Sequence, residues 1–430
     1  MKFYSTRDAS ASALFDIAEA AFKGLAPDGG LFVPERVPQL DIDKVDYLAE
    51  KSYADMAAYI AKSIFDDIDS KLIDEVVADA YNFPLPLHSF GDDRYALELF
   101  HGPTFAFKDY GARFMGRMVG LLNKGRKLTV LTATSGDTGS AVACGFYGVE
   151  GVDVVLLYPD GKVSSLQESQ MTTLGGNIHP LKIAGNFDDC QRMVKEMFND
   201  KDLRSQMDVT SANSINLLRW VPQSFYYFYG CWLWKKATGS KDAPEIIVPS
   251  GNFGNITAGM LAHKMGLPVK RFIAATNAND VVPQFLMNGL YEPRPSIRTV
   301  ANAMDVGAPS NYERLMWLYG NNLEAICSEV KGFSCSDAEI LCNMKEMYMK
   351  YSYSSCPHSA VGYAAAKHFD IQGFWLSTAH PAKFLEVAER AQVPKPSVPA
   401  PLAAMMSKEK QFTRMGANGS ELRDFLLKSR

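Results

Sequence analysis

The chain has 430 residues, of which 47% are hydrophobic and 21% are charged, and both proportions are typical of an ordinary globular protein. Lys and Arg total 44 against 48 Asp and Glu, so the net charge of −4 provides no overall field that would attract nucleic acid or an acidic membrane surface. At roughly 150 residues per domain, the length predicts two or three domains.

The first ninety residues are predicted to be mainly helical, because apolar residues recur at helical spacing over residues 11–23 and 45–80. Between these stretches, residues 27–30 form a turn into a short predicted strand. Two alternating prolines in residues 84–87 favour extended backbone and indicate a linker. We therefore divide the chain into an amino-terminal domain, residues 1–90, and a second region, residues 91–430.

Beyond residue 90 the pattern changes to short apolar runs, each followed by a glycine turn and a helical stretch. The predicted strands are residues 128–132, 152–158, 178–183, 246–248 and 272–275. Alternating strands and helices imply a mostly parallel sheet that is covered by helices on both faces. The predicted fold class is therefore α/β, and ligands in such folds bind at the carboxyl ends of the strands.

An uncharged aromatic run over residues 220–234 is shorter than the ~20 residues that span a bilayer, and it contains Pro222 and Gln223. It predicts either a buried core helix or a face of a dimer, so both a monomer and a homodimer stay open. The proline-rich residues 393–401 indicate a surface connection before a final helical tail. No membrane partner is expected.

The seven cysteines are an odd number, lie far apart and include no CxxC pair. This pattern argues against a secreted disulfide framework and against a zinc site. Residues 9–22 are interrupted by Asp16 and Glu19, so they do not form a signal peptide. We expect a cytoplasmic protein with reduced thiols and no bound metal.

The first candidate site is HGPTFAFKDYG, residues 101–111, in which Lys108 is flanked by Phe105, Phe107 and Tyr110. A lysine among aromatic rings is partly desolvated, which favours a neutral, nucleophilic amine that can form a Schiff base. The alternative is a lysine at the start of a helix whose ammonium group reaches solvent. These local residues do not decide between the two interpretations.

The second candidate site is TVLTATSGDTGSA, residues 129–141, in which a strand runs into a glycine turn and then a helix of small residues. The N–H groups at the start of a helix bind carboxylate or phosphate, and the hydroxyls of Ser135 and Thr138 can supplement them. The alternative is an ordinary helix cap.

The third candidate site, IIVPSGNFGNI at residues 246–256, repeats this arrangement. Gly251 and Gly254 permit close approach of the main chain, and Asn252 and Asn255 can orient an anion. Two anion-binding turns together with Lys108 predict a phosphorylated aldehyde that is held by its phosphate and bonded to the lysine. The predicted cofactor is therefore pyridoxal phosphate.

Five segments resemble, in this order, the threonine synthases of the long bacterial and fungal type: GPTFAFKD, ATSGDTGSA, NSINLLRW, PSGNFGN and STAHPAKF. The stretches YSTR and GLAPDGGLFVPE resemble the additional amino-terminal domain of that family, so the resemblance covers nearly the whole chain. It implies a lyase that converts O-phospho-L-homoserine and water to L-threonine and phosphate, the last step of threonine biosynthesis.

The resemblance also implies the fold type II, or tryptophan-synthase-β-like, architecture of pyridoxal-phosphate enzymes. That architecture has two open parallel-sheet domains, here joined to a mainly helical amino-terminal domain. A smaller, mobile α/β subdomain is expected at about residues 110–230, and the remainder of residues 91–430 is expected to form the larger cofactor-binding subdomain.

Residue roles follow from the same resemblance. Lys108 is expected to bond the cofactor, and Thr378 is expected to be the hydroxyl partner of the pyridine nitrogen. Asp137 stands where many relatives carry Asn beside the cofactor's 3′-oxygen, and its role is open because an ionised carboxylate cannot donate a hydrogen bond. The residues that are expected to hold the cofactor phosphate are Gly251, Asn252, Phe253, Gly254 and Asn255.

The substrate is expected to lie between two further segments. Its α-carboxylate would meet Thr134, Ser135, Gly136, Asp137 and Thr138, with Thr138 also near its phosphate. NSINLLRW would supply Asn213, Ser214 and Arg219 to the phosphate, with a charge-assisted fork from the arginine. An ordinary helix-surface arginine is the alternative for Arg219.

The resemblance implies that Lys108, once released, removes the Cα proton before phosphate leaves and water adds at Cβ. The alternatives are a threonine dehydratase or β-replacing synthase of the same fold, and a non-catalytic cofactor-binding relative. NSINLLRW argues against the first two because it is useful only for a phosphorylated substrate. Retention of Lys108 and both glycine turns argues against the third. His101 either lines the site or makes a structural hydrogen bond.

Overall fold

A computed structural model describes residues 1–428. The helices are α1 Ile17–Lys23, α2 Ile42–Lys51, α3 Tyr53–Ile64, α4 Ser70–Ala80, α5 Lys108–Asn123, α6 Asp137–Phe146, α7 Ser165–Thr172, α8 Phe187–Asn199, α9 Lys201–Gln206, α10 Leu217–Trp220, α11 Phe225–Thr238, α12 Gly254–Lys264, α13 Val281–Asn288, α14 Tyr312–Leu318, α15 Leu323–Glu329, α16 Asp337–Tyr351, α17 Pro357–Phe369, α18 Leu385–Arg390, α19 Ala400–Met406 and α20 Gly419–Lys428. The strands are β1 Phe3–Ser5, β2 Phe32–Pro34, β3 Leu87–Ser89, β4 Arg94–Glu98, β5 Leu128–Ala133, β6 Val152–Pro159, β7 Ile178–Ala184, β8 Asp208–Thr210, β9 Glu245–Pro249, β10 Arg271–Thr276, β11 Val330–Ser334, β12 Gly373–Ser377 and β13 Thr413–Gly416. Short 3-10 helices cover Val221–Ser224, Asn302–Met304 and Pro381–Phe384.

Two large sheets form the centre of the molecule. The six-stranded sheet has the order β11-β10-β9-β12-β4-β3, and the five-stranded sheet has the order β13-β7-β6-β5-β8. All pairs are parallel except β3 with β4. The five strands that the sequence predicted are β5, β6, β7, β9 and β10, so the α/β fold class is confirmed.

The amino-terminal region is mainly helical, as predicted, but its first helix is shorter than the apolar spacing indicates. Helix α1 begins at Ile17 because Asp16 caps it: the Asp16 carboxylate accepts from the Glu19 N–H, and the Glu19 carboxylate accepts from the Asp16 N–H. The long helical stretch that follows is divided at Ser52, whose side chain caps α3. Strands β1 and β2 pair as an antiparallel ribbon beside these helices.

The aromatic run becomes α10, a 3-10 turn and α11, and it lies in the core. The side chains of Trp220, Phe225, Tyr226, Tyr227 and Phe228 are all buried within this chain. The structure therefore places the run as a core element, while the oligomeric state stays a prediction. Within residues 1–428, no helix has both the length and the apolar character that crossing a bilayer requires.

The carboxyl-terminal segment differs from its prediction as a helical tail of the larger subdomain. Strand β13 pairs with β7, with Leu181 opposite Thr413, and so extends the five-stranded sheet. Its four residues carry too little apolar alternation to be recognised as a strand. Strand β3 likewise begins at Leu87, before the predicted boundary near residue 90. The division into domains otherwise stays a prediction.

Candidate active site

Lys108 is the first residue of α5, and the loop before it is tied to the segment that follows β12. The Phe107 N–H donates to the Thr378 carbonyl at 2.8 Å, and the His380 N–H donates to the Phe105 carbonyl at 3.0 Å. These two bonds enclose an antiparallel bridge between Ala106 and Ala379. The lysine is thereby fixed at the carboxyl end of the larger sheet, where ligands of such folds bind.

A buried carboxylate organises the same loop. Asp109 accepts from the Thr104 N–H at 2.9 Å and from its hydroxyl at 2.6 Å. A Cβ at Gly102 would lie 2.5 Å from an Asp109 oxygen, so the loop closes only with glycine there. Burial raises the pKa of Asp109, and the two bonds from Thr104 oppose that rise. The sequence analysis identified neither Thr104 nor Asp109 as part of the site.

The three aromatic residues predicted to surround Lys108 contact different parts of the structure. The Phe107 ring centroid lies 5.9 Å from the lysine Nζ. The Phe105 ring packs against His380 instead, and Tyr110 joins the aromatic core around α11. Only one of the three rings is therefore in contact with the amine, because neighbours in a turn and the following helix point in different directions.

The Lys108 amine has no hydrogen bond or ion pair with any residue in the described range 1–428. Burial lowers the pKa of Lys108 to about 8, the Asp137 carboxylate opposes this shift, and the Arg219 and Lys383 cations add to it. A substantial fraction of the amine is therefore neutral near pH 8, which is the state that attacks an aldehyde. These three charged groups therefore influence the protonation state of the Lys108 amine.

The turn from β5 to α6 leaves main-chain donors open. Gly136 adopts a φ of 142°, and a Cβ there would lie 2.6 Å from the Gln167 side chain. The Thr134 hydroxyl accepts from the N–H groups of Gly136 and Gly139 at 3.0 and 2.7 Å, so it caps the helix rather than facing a ligand. In the described part of the chain, the N–H groups of residues 135, 137 and 138 have no acceptor. An anion would meet these three donors.

The turn from β9 to α12 offers a longer row of donors. In residues 1–428, none of the five consecutive N–H groups of residues 251–255 has an acceptor. Phe253 has a φ of 61°, which turns the chain around the row. A Cβ at Gly251 would lie 2.7 Å from the Met304 Cα, so this wall admits only glycine. Such a concave row of N–H groups is suited to phosphate.

The two asparagine side chains of this turn are bonded within the protein, and the prediction that they orient an anion stays a prediction. Asn252 donates to the Ser214 hydroxyl at 2.7 Å and accepts from the Ser310 N–H. Asn255 donates to the Pro249 carbonyl at 2.8 Å. They shape the turn, and its main chain remains free for a ligand. The Asn252 bond also brings Ser214 to the edge of the turn.

Arg219 is buried, contrary to the surface alternative, with an exposed fraction of 3%. Its guanidinium donates to the Ala212 carbonyl, and its Nε has no acceptor. No acidic side chain among residues 1–428 forms an ion pair with it. Burial lowers the pKa of Arg219 to about 10, with Asp109 opposing, so it remains a cation at neutral pH. An unpaired buried cation is suited to an anionic ligand. On the same segment, the Asn213 side chain is half-buried.

Thr378 follows β12 directly and is 4% exposed. Its N–H donates to the Ser359 hydroxyl at 3.0 Å, and its carbonyl accepts from Phe107. Thr378 therefore lies at the carboxyl end of a central strand, and its role as a hydroxyl partner of the pyridine nitrogen stays a prediction. Ser359 lies in the first turn of α17, so Thr378 is held between that helix and the loop of Lys108.

Asp137 has a partner that the sequence analysis missed. The Lys383 ammonium lies 2.7 Å from an Asp137 oxygen, and Gln167 donates to the same oxygen at 2.9 Å. Burial alone would raise the pKa of Asp137, but the charges of Lys383 and Lys108 and these hydrogen bonds hold it well below its usual range. Lys383 belongs to STAHPAKF, and a lysine so soon after a strand end was the available signal.

Two histidines lie near these groups. His358 accepts from the Ala303 N–H at 3.1 Å through Nε2, and its Nδ1 is buried without a partner. Burial lowers the pKa of His358 to about 4, so the ring is neutral at pH 7. His101 Nε2 lies 2.7 Å from a Glu98 oxygen, which agrees with a structural hydrogen bond.

Residues 1–428 contain no group of three or more His, Cys, Asp or Glu side chains arranged to hold a metal.

The donor set fits pyridoxal phosphate. The row of five N–H groups at residues 251–255 matches a phosphate, and Lys108 supplies an unpaired amine of lowered pKa for an aldehyde. The wall at Gly251 contacts Ala303, whose N–H donates to His358, and the charge of Lys108 acts on His358, so this contact links the row to the surroundings of the lysine. Among the predicted residues, the side chains of Thr134, Asn252 and Asn255 bond within the protein, and the roles of the predicted residues toward a ligand stay predictions.

Comparison with known proteins agrees with this geometry. Residues 84–373 match the family described as pyridoxal-phosphate dependent enzyme, residues 2–81 match threonine synthase N terminus, and residues 359–426 match threonine synthase, C-terminal. The chain is 41% identical over 432 residues to the threonine synthase of Serratia marcescens, which covers 99% of both chains.

Solved structures are similarly close. The crystal structure of threonine synthase from Escherichia coli has a TM-score of 0.91 and 39% identity, covering 100% of both chains. The X-ray structure of PLP-bound threonine synthase from Brucella melitensis has a TM-score of 0.93 and 34% identity, covering 99% of this chain and 98% of that one.

Proposed function

Because the chain belongs to the threonine synthase family of pyridoxal-phosphate-dependent enzymes, we propose that its cleft converts O-phospho-L-homoserine and water to L-threonine and phosphate. The observation that carries this proposal is an unpartnered lysine of lowered pKa together with two separate anion sites, the N–H row of residues 251–255 and the buried Arg219. One anion site suits the cofactor phosphate, and the other contains the unpaired cation that a phosphorylated substrate needs.

The main chain of residues 251–255 holds the cofactor phosphate in this proposal. Its five N–H groups would be the donors, and Asn252 and Asn255 hold the turn in shape. Lys108 would bond the aldehyde carbon, and Thr378 would supply a hydroxyl to the ring nitrogen. Pyridoxal phosphate, when bound, withdraws electrons from the substrate carbons next to the amine.

The substrate carboxylate is held by the N–H groups of residues 135, 137 and 138, assisted by the half-buried Ser135 and Thr138 hydroxyls. The Arg219 cation, with Asn213 and Ser214, holds the substrate phosphate. Fixing both ends of the substrate presents its Cα and Cβ hydrogens to one base. This positioning is the main contribution that the protein makes to the rate.

Lys108 is the base. With its amine free, Nζ would take the Cα proton, and its lowered pKa suits it to give up that proton again near neutral pH. After it has passed this proton on, the same amine would take the Cβ proton, and the bond between Cγ and the phosphate oxygen would break. Arg219 stabilises the departing phosphate, water adds at Cβ, and protons return to Cγ and Cα.

A dehydratase or a β-replacing synthase of the same fold is a weaker candidate. Such enzymes act on substrates without a γ-phosphate, and a buried unpaired Arg219 would then have no ligand to balance its charge. A non-catalytic relative would have no use for the lowered pKa of Lys108. A cytoplasmic location and a monomer or homodimer are parts of the proposal that light scattering and fractionation can test.

Phosphate and threonine released from O-phospho-L-homoserine by the cofactor-loaded protein, quantified in the same samples, test the proposal directly. Equal amounts support it. Phosphate accompanied by 2-oxobutyrate indicates an eliminating lyase, and no release from fully loaded protein refutes the proposal.

Lys108→Ala tests the assignment of the base. The variant is expected to release no phosphate while its residues 251–255 still bind the cofactor phosphate, measured by titration of the apoprotein. Lys395→Ala, which removes an exposed ion-paired lysine, is the matched control and should keep native turnover. Native turnover in Lys108→Ala would exclude Lys108 as the base.

A further inference from the structure

Lys383 is a fully buried lysine whose side chain has no exposed surface. It lies in the 3-10 helix Pro381–Phe384, just after the central strand β12. Its ammonium pairs with Asp137 at 2.7 Å and donates to the Thr104 carbonyl at 2.8 Å. Lysine is almost never fully buried unless it is paired, because removing its charge from water is costly.

The partners of Lys383 come from different parts of the fold. Asp137 opens α6, on the five-stranded sheet, while Thr104 belongs to the loop that leads to Lys108. The Thr104 carbonyl also accepts from Gln170 of α7 at 3.1 Å. A single ammonium group thus joins the first residue of α6 to the loop that leads to Lys108.

Both members of the pair have unused hydrogen-bonding capacity. An ammonium group has three N–H donors, and the described residues accept from Lys383 at two places, Asp137 and Thr104. Both donors to the Asp137 carboxylate reach the same oxygen, so its other oxygen has no donor among residues 1–428. The pair therefore has one free N–H donor and one free carboxylate oxygen, and its charges act on Lys108.

The chemistry of the cofactor indicates what meets this pair. In pyridoxal phosphate, the phenolic oxygen is attached to the ring carbon next to the one that bears the aldehyde. A group that bonds Lys108 through the aldehyde therefore brings that oxygen close to the lysine. An ionised Asp137 cannot donate a hydrogen bond to it, whereas the neighbouring ammonium can.

We propose that Lys383 is a positioning residue for the cofactor, which donates an N–H to its phenolic oxygen and which Asp137 holds in place. The ion pair then supplies the hydrogen bond that a neutral amide at position 137 could donate by itself. This inference rests on the proposed function, because it requires pyridoxal phosphate at Lys108.

The charges around Lys108 determine the direction in which each substitution should shift the pKa of the Lys108 nitrogen. The charged and titratable groups that act on Lys383 or on Lys108 are Asp137, Asp109, Arg219, His358 and His380. Removing the Lys383 cation leaves the Asp137 carboxylate uncompensated, which favours a positive charge on the Lys108 nitrogen. Removing the carboxylate instead leaves the Lys383 cation uncompensated, which disfavours that charge.

The test measures two properties of the bound cofactor: its dissociation constant, from titration of the apoprotein, and the pH midpoint of its visible absorption change. Lys383→Met is expected to weaken binding by about tenfold or more and to raise the midpoint by about one pH unit. Asp137→Asn is expected to lower the midpoint. The double variant should return the midpoint toward the native value, because the charge is again balanced and an amide N–H is present.

Lys395→Met, at an exposed ion pair with Glu389, is the control and should match the native protein in both readouts. A native midpoint in both Lys383→Met and Asp137→Asn, or shifts of the same sign in the two, would overturn the inference. If Lys383→Met fails to fold, Asp137→Asn still tests the inference, because its midpoint is expected to fall and a native or raised midpoint would overturn the inference. Failure of the native chain to bind pyridoxal phosphate would overturn the proposed function, and this inference with it.

Discussion

Replacing Arg219 by Gln removes the cation that we assign to the substrate phosphate, while an amide of similar reach remains. The guanidinium is buried, donates to one carbonyl and has an Nε without an acceptor. Its pKa is lowered to about 10 by burial, so it carries a full charge in any assay near pH 8. The free protein therefore bears the cost of a desolvated cation, and the substrate phosphate offsets that cost.

The size of the effect follows from this burial. Removing one partner of a buried, hydrogen-bonded charge pair costs about 2 to 5 kcal/mol. At about 1.4 kcal/mol per factor of ten, kcat/KM should fall by roughly 30-fold to 5,000-fold. The free energy of unfolding should not fall with it, because the variant no longer buries an unpaired charge. Loss of activity without loss of stability is the expected signature.

The assay is the initial rate of phosphate release over a range of substrate concentrations, together with the midpoint of urea unfolding. Binding of L-threonine, which lacks the phosphate, should be close to native in Arg219→Gln. Arg36→Gln, at a side chain that is 60% exposed, serves as the control and should change neither activity nor stability. A kcat/KM within threefold of native, or an equal loss of affinity for L-threonine, would refute the assignment of Arg219 to the phosphate.

Three further outcomes follow from the same structure. Gly136→Ala places a Cβ 2.6 Å from Gln167 at a φ of 142°, so it should destabilise the protein by about 2 kcal/mol or more. Gly148→Ala, also at positive φ but with nothing within 4 Å, should cost less, and equal urea midpoints for the two variants would contradict the steric argument. Arg314→Met removes a buried guanidinium that donates to the carbonyls of residues 32, 214 and 215. It should lower the free energy of unfolding by about 2 to 5 kcal/mol, because these buried carbonyls lose their charged donor, and a urea midpoint at or above native would disprove this. Burial lowers the pKa of Lys108 to about 8, so capture of pyridoxal phosphate by the apoprotein, followed by absorbance, should rise about tenfold per pH unit below that value and level off above it. A plateau that begins only near the ordinary lysine pKa would show that the amine is not desolvated. The unfolded chain holds this proton to higher pH, so the apoprotein should also gain stability as pH rises above about 8.

The strands and the two glycine turns could be predicted because their signals are local. The apolar run 128–132 and the glycine at position 136 lie within one short window, and together they specify β5, the turn and α6. The row of main-chain donors at residues 251–255 follows in the same way from the spacing of Gly251 and Gly254. Such features depend on backbone geometry, which nearby residue types determine.

The side-chain partners could not be predicted, because they connect distant parts of the chain. Nothing near Asp137 indicates that its charge is balanced by Lys383, and nothing near Asn252 indicates that its amide bonds Ser214. The buried position of Arg219 depends on packing against α5, where a Cβ at Gly111 would lie 2.6 Å from the Arg219 carbonyl oxygen. The start of α1 was missed for a different reason: the capping box of Asp16 and Glu19 outweighs the apolar residues before it.

Because β13 pairs with β7, the order in which the ribosome makes the strands affects folding. The ribosome makes β5, β6, β7 and β8 early, but the strand that covers the outer edge of β7 follows only after all six strands of the other sheet. Until then the nascent sheet has only the four strands β5 to β8, and β7 presents an uncovered row of N–H and C=O groups, which is the kind of edge at which chains associate with one another. A slow or interrupted translation of the carboxyl-terminal segment should therefore favour aggregation over simple loss of activity.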